Sequence, residues 1–175
     1  MAYGARKGEK WLVVVDGQES SEYEEISTPI FSPDSKRVAY AARKGGKMLV
    51  VVDGQEGNEY DEIGADGLIF SPDSKRVAYG VRKGEKWLVV VDGQEGREYD
   101  GIGTGLIFNP DSKRVAYAAQ KGEKWLVVVD GQEGSEYDGF VVGSKLVFDS
   151  SDSLHTLVVG PGPEFFRVEI KIEEK

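Results

Sequence analysis

The chain has 175 residues, a net charge of −9, 39% hydrophobic residues, 23 glycines and no cysteine. This composition is too apolar for a disordered chain, and the negative charge argues against nucleic acid or an anionic membrane as a partner. The lack of cysteine excludes disulfides and thiolate metal sites, and no stretch is apolar enough for a membrane span or a signal peptide.

The first residues match the middle of later repeats, which favours a truncated or engineered repeat protein. They lead into Lys-Trp-Leu-Val-Val-Val-Asp-Gly-Gln at Lys10–Gln18, which returns with small changes at Lys47–Gln55, Lys86–Gln94 and Lys124–Gln132. A strand that is apolar at every position needs cover on both faces, and Asp-Gly favours a tight turn. We therefore expect stacked sheets that are copies of one another.

The first complete repeat, Thr28–Gly64, predicts four short strands, a to d, separated by turns. They are Pro29–Phe31, Arg37–Ala42, Met48–Val52 and Glu59–Ile63. Equivalent phenylalanines recur about 40 residues apart, a period that is typical of four-stranded propeller blades. The sequence therefore predicts one all-β domain, a β-propeller of antiparallel blades.

The repeat divides the chain into five units, of which the first and last supply only three strands. The units are residues 2–26, 28–63, 66–102, 104–142 and 144–172. We favour a ring of five blades with incomplete terminal blades. In one alternative, residues 145–148 complete the first blade and close a four-bladed ring. In another, open strand edges recruit a second copy, so the protein is either a monomer or an edge-paired homo-oligomer.

The last unit departs from the repeat. Its predicted strands are Lys145–Phe148, Leu154–Val159 and Phe165–Ile172, and the last of these alternates apolar with charged residues. Such alternation indicates a strand with one exposed face, as expected where repetition stops, and the charges should protect its edge.

Three copies of one motif carry a family resemblance. Phe-Ser-Pro-Asp-Ser-Lys-Arg-Val-Ala-Tyr occupies Phe31–Tyr40 and Phe70–Tyr79, and Phe108–Tyr117 differs from it only by an asparagine. The motif resembles the WD-like repeat of TolB-type β-propellers, with serine where that family usually has glycine, and the similarity covers roughly residues 2–142. Such propellers serve as protein-docking discs, as lids on peptidases and as domains of unknown role.

The resemblance implies a non-enzymatic scaffold for protein or ligand binding. The alternatives are a carbohydrate-binding, lectin-like propeller and a hydrolase-associated propeller domain. We predict no catalytic residue and no cofactor. His155 is the only histidine, and it lies close to Asp152 and Ser153 on one short segment. A catalytic triad needs groups that converge from separate positions, so we interpret His155 as an ordinary surface residue.

Carboxylates recur after every valine run, for example at Asp53, Glu56 and Asp61. Their spacing does not match the calcium loop with alternating carboxylates, so we predict no metal site and favour solvated loops, with weak calcium binding as the alternative.

The b–c turns carry the opposite charge. Because these turns lie at one end of the strands, we expect a disc with one basic and one acidic face, and a protein or an anionic ligand bound at the basic face. The alternative is that lysine and glycine are ordinary turn residues. The candidate ligand-binding residues are Arg43, Lys44, Lys47, Arg82, Lys83, Lys86, Lys121 and Lys124.

Aromatic residues recur at fixed strand positions. This favours packing between blades, with sugar stacking as the alternative. The set comprises Tyr23, Tyr60, Tyr99 and Tyr137 on strand d, Tyr40, Tyr79 and Tyr117 on strand b, and Trp11, Trp87 and Trp125 on strand c.

Overall fold

The computed structural model describes residues 1–103, 105–160 and 164–172, with the side chains of residues 65 and 66 left out of the description. Its strands form five antiparallel sheets in chain order, which we call blades 1 to 5. No helix long and apolar enough to cross a membrane occurs in these ranges. The predicted all-β architecture is confirmed.

Blades 2, 3 and 4 share one plan. A first segment pairs with the first of two long central strands, and a last strand pairs with the second. Blade 2 contains β4 (Glu25–Ile26), β5 (Ile30–Phe31), β6 (Val38–Lys44), β7 (Lys47–Val52) and β8 (Gln55–Glu56); blade 3 contains β9 (Glu62–Phe70), β10 (Val77–Lys83), β11 (Lys86–Val91) and β12 (Gln94–Glu95); blade 4 contains β13 (Gly101–Ile102), β14 (Ile107–Phe108), β15 (Val115–Lys121), β16 (Lys124–Val129) and β17 (Gln132–Tyr137).

The terminal blades are incomplete, as predicted. Their strands are β1 (Ala2–Lys7), β2 (Lys10–Val15) and β3 (Gln18–Glu19) in blade 1, and β18 (Gly139–Phe140), β19 (Val147–Phe148), β20 (Ser153–Val159) and β21 (Phe165–Lys171) in blade 5. Because β19 pairs with β20, residues 145–148 do not complete blade 1. The four-bladed alternative is therefore wrong.

The predicted strand Glu59–Ile63 is wrong in one respect, because it is divided between two blades. Tyr60 bridges Met48 in blade 2, whereas Glu62 and Ile63 pair with β10 in blade 3. Ile63 packs on the cluster that contains Val81, which holds the end of the unit on the next blade. The segment that ends each blade therefore continues into the first strand of the next blade, which links consecutive sheets covalently.

The valine runs are buried on both faces, as their continuous hydrophobicity predicts. In β7, Leu49 and Val51 pack toward blade 1, while Val50 packs toward blade 3. Complete burial of each such side chain stabilises the fold by about 1.5–3 kcal/mol. Four buried clusters join consecutive blades, and none formed by the described residues joins blade 5 to blade 1.

The Asp-Gly dipeptide adopts the tight turn that the sequence predicts. Asp53 and Gly54 have φ angles of 52° and 79°, the two positive values that a type I′ turn requires. Asp53 also accepts a hydrogen bond from the Val38 backbone N–H at 3.0 Å and pairs with Arg37 at 2.7 Å. One aspartate therefore closes the turn and fixes the start of a neighbouring strand.

The serine that replaces the family's glycine also has a structural role. Ser74 has a positive φ of 67°, a conformation that glycine adopts more easily. Its Oγ accepts a hydrogen bond at 3.0 Å from the Asp34 backbone N–H of the preceding blade, and Ser112 repeats this contact with Asp73 at 2.9 Å. Serine therefore adds a bond between blades that glycine lacks.

Candidate functional site

All eight predicted ligand-binding residues form ion pairs within the chain. Their partners come from the last strand of the same blade, from the segment after it, or from the first segment of the blade. The pairs are Arg43–Glu25, Lys44–Glu56, Lys47–Asp61, Arg82–Glu62, Lys83–Glu95, Lys86–Asp100, Lys121–Glu133 and Lys124–Asp138.

Two of these carboxylates also join neighbouring blades. Asp61 accepts hydrogen bonds from Lys47 and, at 2.7 Å, from the Gly84 backbone N–H in the b–c turn of the next blade. Asp100 repeats the arrangement with Lys86 and Gly122. The lysine, and then the backbone donor, hold the pKa of each aspartate below its ordinary value.

The prediction of separate basic and acidic faces is wrong at the b–c turns. Asp53 and its equivalents do lie at the opposite end, next to the a–b turns. The chain then runs back, and Glu56 and Asp61 meet the lysines of the b–c turns. Those lysines are therefore neutralised by carboxylates at their own end. Binding of a protein or an anionic ligand there stays a prediction.

The recurring tyrosines pack between blades, as predicted. Tyr23, Tyr60 and Tyr99 are each 2% exposed. The Tyr60 hydroxyl donates a hydrogen bond at 3.1 Å to Glu95 in the following blade, and burial raises the pKa of Tyr60 to about 12. Tyr137, the last member of the strand d series, is only half-buried. The regular packing therefore changes between blades 4 and 5.

A cleft of about 530 Å³ opens at this change, between blades 4 and 5. We call it the 4/5 cleft. Trp125 and Phe140 meet edge-on in its wall, with ring centroids 6.0 Å apart, and Val142 is fully exposed. The lining residues are Ile102, Gly103, Ala118, Trp125, Gly139, Phe140, Val141, Val142, Gly143, Ser144, Leu146 and Thr156.

The register of blade 5 identifies the residue that leaves this space. Phe148 pairs with Leu154 as Phe108 pairs with Val115, so Thr156 occupies the place that Tyr117 has in blade 4. The Tyr117 ring packs edge-on against Tyr99 of the preceding blade. A threonine is too small to make that contact, and space remains beside the tryptophan.

The chemistry of the 4/5 cleft is apolar with one unused polar group. Thr156 is 1% exposed, and its Oγ1 has no hydrogen-bond partner among the described residues. Ser144 donates its hydroxyl hydrogen to the Leu157 carbonyl at 3.2 Å. None of the lining residues that the structure describes is titratable, so these residues supply no general acid or base. The arrangement suits binding of an apolar group that offers one hydrogen-bonding atom.

His155 lies outside the 4/5 cleft lining. Both oxygens of Asp149 are 2.8 Å from its Nδ1, so its partner is Asp149 rather than the Asp152 singled out in the sequence. Ser153 donates instead to Glu169 at 3.2 Å. These side chains do not form a nucleophile–base–acid relay, since the serine is directed to a different carboxylate.

The part of the chain that the structure describes contains no group of three or more potential metal-ligating side chains. Calcium binding therefore has no cluster of carboxylates to support it in those ranges.

Sequence reasoning missed the 4/5 cleft. The available signal was Thr156, which replaces the tyrosine found at Tyr117 and its equivalents. The turns of the last unit differ in length from those of the repeat, so the sequence alone does not align these two positions. The register becomes visible only when the β19–β20 pairing is known.

Comparison with known proteins identifies the fold of the chain. No family model matches the chain, and no curated protein matches it. TolB from Acinetobacter baumannii superposes with a TM-score of 0.50 and 15% identity over 98% of this chain, which spans 50% of that TolB. The β-propeller domain of the Trilobed protease from Pyrococcus furiosus gives a TM-score of 0.55 and 14% identity, with 99% of this chain and 70% of that domain covered. The fold is a TolB-like β-propeller.

The same propeller fold occurs in a peptidase. An acylaminoacyl peptidase in complex with Z-Gly-Gly-Phe-chloromethyl ketone has a TM-score of 0.51 and 11% identity over 98% of this chain and 38% of its own. At such identities the likeness shows the propeller fold alone. Function must therefore be argued from the sites of this propeller.

Proposed function

We propose that this propeller is a non-enzymatic scaffold that binds a partner protein by receiving one of its apolar side chains in the 4/5 cleft. The observation that carries the proposal is the combination of Trp125, Phe140 and the unpartnered Thr156 hydroxyl in one cleft of about 530 Å³. Ligand pockets typically have about 300–1,000 Å³ and apolar walls with few polar groups.

Two features support binding rather than catalysis. The described part of the cleft wall has no titratable side chain, while His155 is paired with Asp149 away from that wall. The aromatic pair offers a large apolar contact, and such residues supply much of the binding free energy in protein interfaces. A backbone amide of the partner could supply the hydrogen bond that Oγ1 lacks.

Saturation-transfer NMR with N-acetyl-leucine amide as the probe tests the proposal. We expect a signal with the wild-type chain and none with Thr156→Tyr, because the tyrosine restores the ring found in the other blades and fills the cleft. Thr156→Val is the matched control. It keeps the space and removes the hydroxyl, so binding should weaken by roughly tenfold rather than vanish.

N-acetyl-aspartate amide serves as the control probe and should give no signal, since the cleft offers no cation. Equal signals from the wild-type chain and Thr156→Tyr would refute the proposal.

A further inference from the structure

We propose that β21 pairs antiparallel with β21 of a second copy, which makes the protein a two-fold symmetric dimer through the open edge of blade 5. Within the described residues, β21 pairs only with β20. It is seven residues long and exposes Phe165 and Phe166, which are 67% and 43% accessible. Long edge strands with exposed apolar residues recruit other strands unless their charges prevent it.

The backbone hydrogen bonds show which groups face the open edge. The Ile172 N–H donates to the Asp152 backbone carbonyl, and the Gly160 N–H donates to the Glu164 backbone carbonyl. In an antiparallel ladder these bonds involve alternate residues, so the even-numbered positions of β21 bond to β20. The odd-numbered positions therefore present their N–H and C=O groups outward, ready to pair with another strand.

Side-chain charges select one register for that pairing. When Val168 faces its own copy across the two-fold axis, Arg167 lies opposite Glu169 twice, and Phe166 lies opposite Ile170. A shift of two residues in one direction brings the two copies of Arg167 together, and a shift in the other brings the two copies of Glu169 together. Opposite charges across a ladder stabilise the pair and like charges destabilise it, so only the central register is self-complementary.

Other open edges lack this complementarity. The last strand of blade 4, β17, carries Glu133 and Glu136, and its charges have one sign. The β1 edge carries Arg6 and Lys7, also of one sign. Charges of a single sign repel a second copy of the same strand. Because Arg167, Glu169 and Lys171 alternate in sign, the charges that we expected from the sequence to protect this edge instead allow β21 to pair with a second copy of itself. Of these three edges, only that of blade 5 is therefore self-complementary.

Sedimentation equilibrium over a range of concentrations tests the proposal on the full chain. The wild-type protein should dimerise. Glu169→Arg should weaken the dimer by about tenfold, because it turns two attractive cross-strand pairs into repulsive ones. The double variant Arg167→Glu/Glu169→Arg should restore the wild-type affinity. Glu164→Arg is the matched control, since it makes the same change in net charge just before the strand and should leave the dimer intact.

Glu169→Pro probes the backbone independently. It removes an N–H that faces the open edge without removing a bond to β20, so the chain should stay folded by circular dichroism and become monomeric. A wild-type monomer at all concentrations would overturn the proposal. So would failure of the double variant to restore the dimer, or an open-ended series of larger species, which indicates pairing between unlike edges.

Discussion

Replacing Ser74 by alanine measures what the serine of the Ser-Pro-Asp-Ser turn contributes to packing between blades. The Ser74 hydroxyl is the acceptor for the Asp34 backbone N–H of the preceding blade, and Ser74 is only 4% exposed. Alanine keeps the same backbone strain at φ 67° but removes the acceptor. We expect the free energy of unfolding to fall by about 1–2 kcal/mol, the cost of losing a hydrogen bond and leaving an amide poorly satisfied.

The chain provides a matched control. Ser35 has nearly the same backbone conformation, with φ 61°, but it is exposed, and within the described residues its side chain makes no hydrogen bond to the preceding blade. Ser35→Ala should therefore change the free energy of unfolding by less than about 0.5 kcal/mol. Ser74→Gly loses the same hydrogen bond but relieves the strain of a positive φ, so its effect should be smaller than that of Ser74→Ala.

Urea unfolding followed by circular dichroism gives the three values. The reasoning requires the order Ser74→Ala, then Ser74→Gly, then Ser35→Ala, from the largest to the smallest loss. Equal losses for Ser74→Ala and Ser35→Ala would refute it, because the two sites differ mainly in the bond between blades.

Three further predictions concern the core, the cleft and acid stability. Val90→Asp should unfold the domain, because it would bury an unpaired charge at a position where the side chain is 0% exposed. Circular dichroism would detect the unfolding, and a folded variant would contradict blade stacking. Thr156→Val should raise the urea midpoint, because it removes a buried hydroxyl without a partner; a lower midpoint would show that the hydroxyl is satisfied. Since Lys47 and Lys86 lower the pKa of Asp61 and Asp100, the folded state binds protons less readily than the unfolded state. The free energy of unfolding should therefore be constant near neutral pH and should decrease as the pH is lowered below about 4. This decrease should be less steep in the double variant Asp61→Asn/Asp100→Asn. Identical pH profiles for the wild-type chain and the variant would contradict the role of these ion pairs.

The sequence predicts the fold well because its repeats are nearly identical and each carries unambiguous signals. The valine run of β7 is buried on both faces, and Asp53-Gly54 forms the predicted turn. Burial and turn geometry depend on residues close together in the chain, so local patterns suffice to predict them.

The charge distribution was harder to predict because it depends on the path of the chain after each turn. Asp61 belongs to an acidic segment in the sequence, yet the return of the chain places it against Lys47 and the Gly84 amide. The 4/5 cleft depends on the register of blade 5, which irregular turns obscure. Both features arise where contacts between blades, rather than the repeat itself, determine position.

Hydrogen exchange of the valine-run amides, followed by NMR, tests the stacked-blade architecture most directly. Val51, Val90 and Val128 occupy equivalent positions and are each 0% exposed. The architecture predicts that their amides exchange only through global unfolding, with the same free energy in all three blades. Exchange of any of them at the rate of an unfolded chain would contradict it.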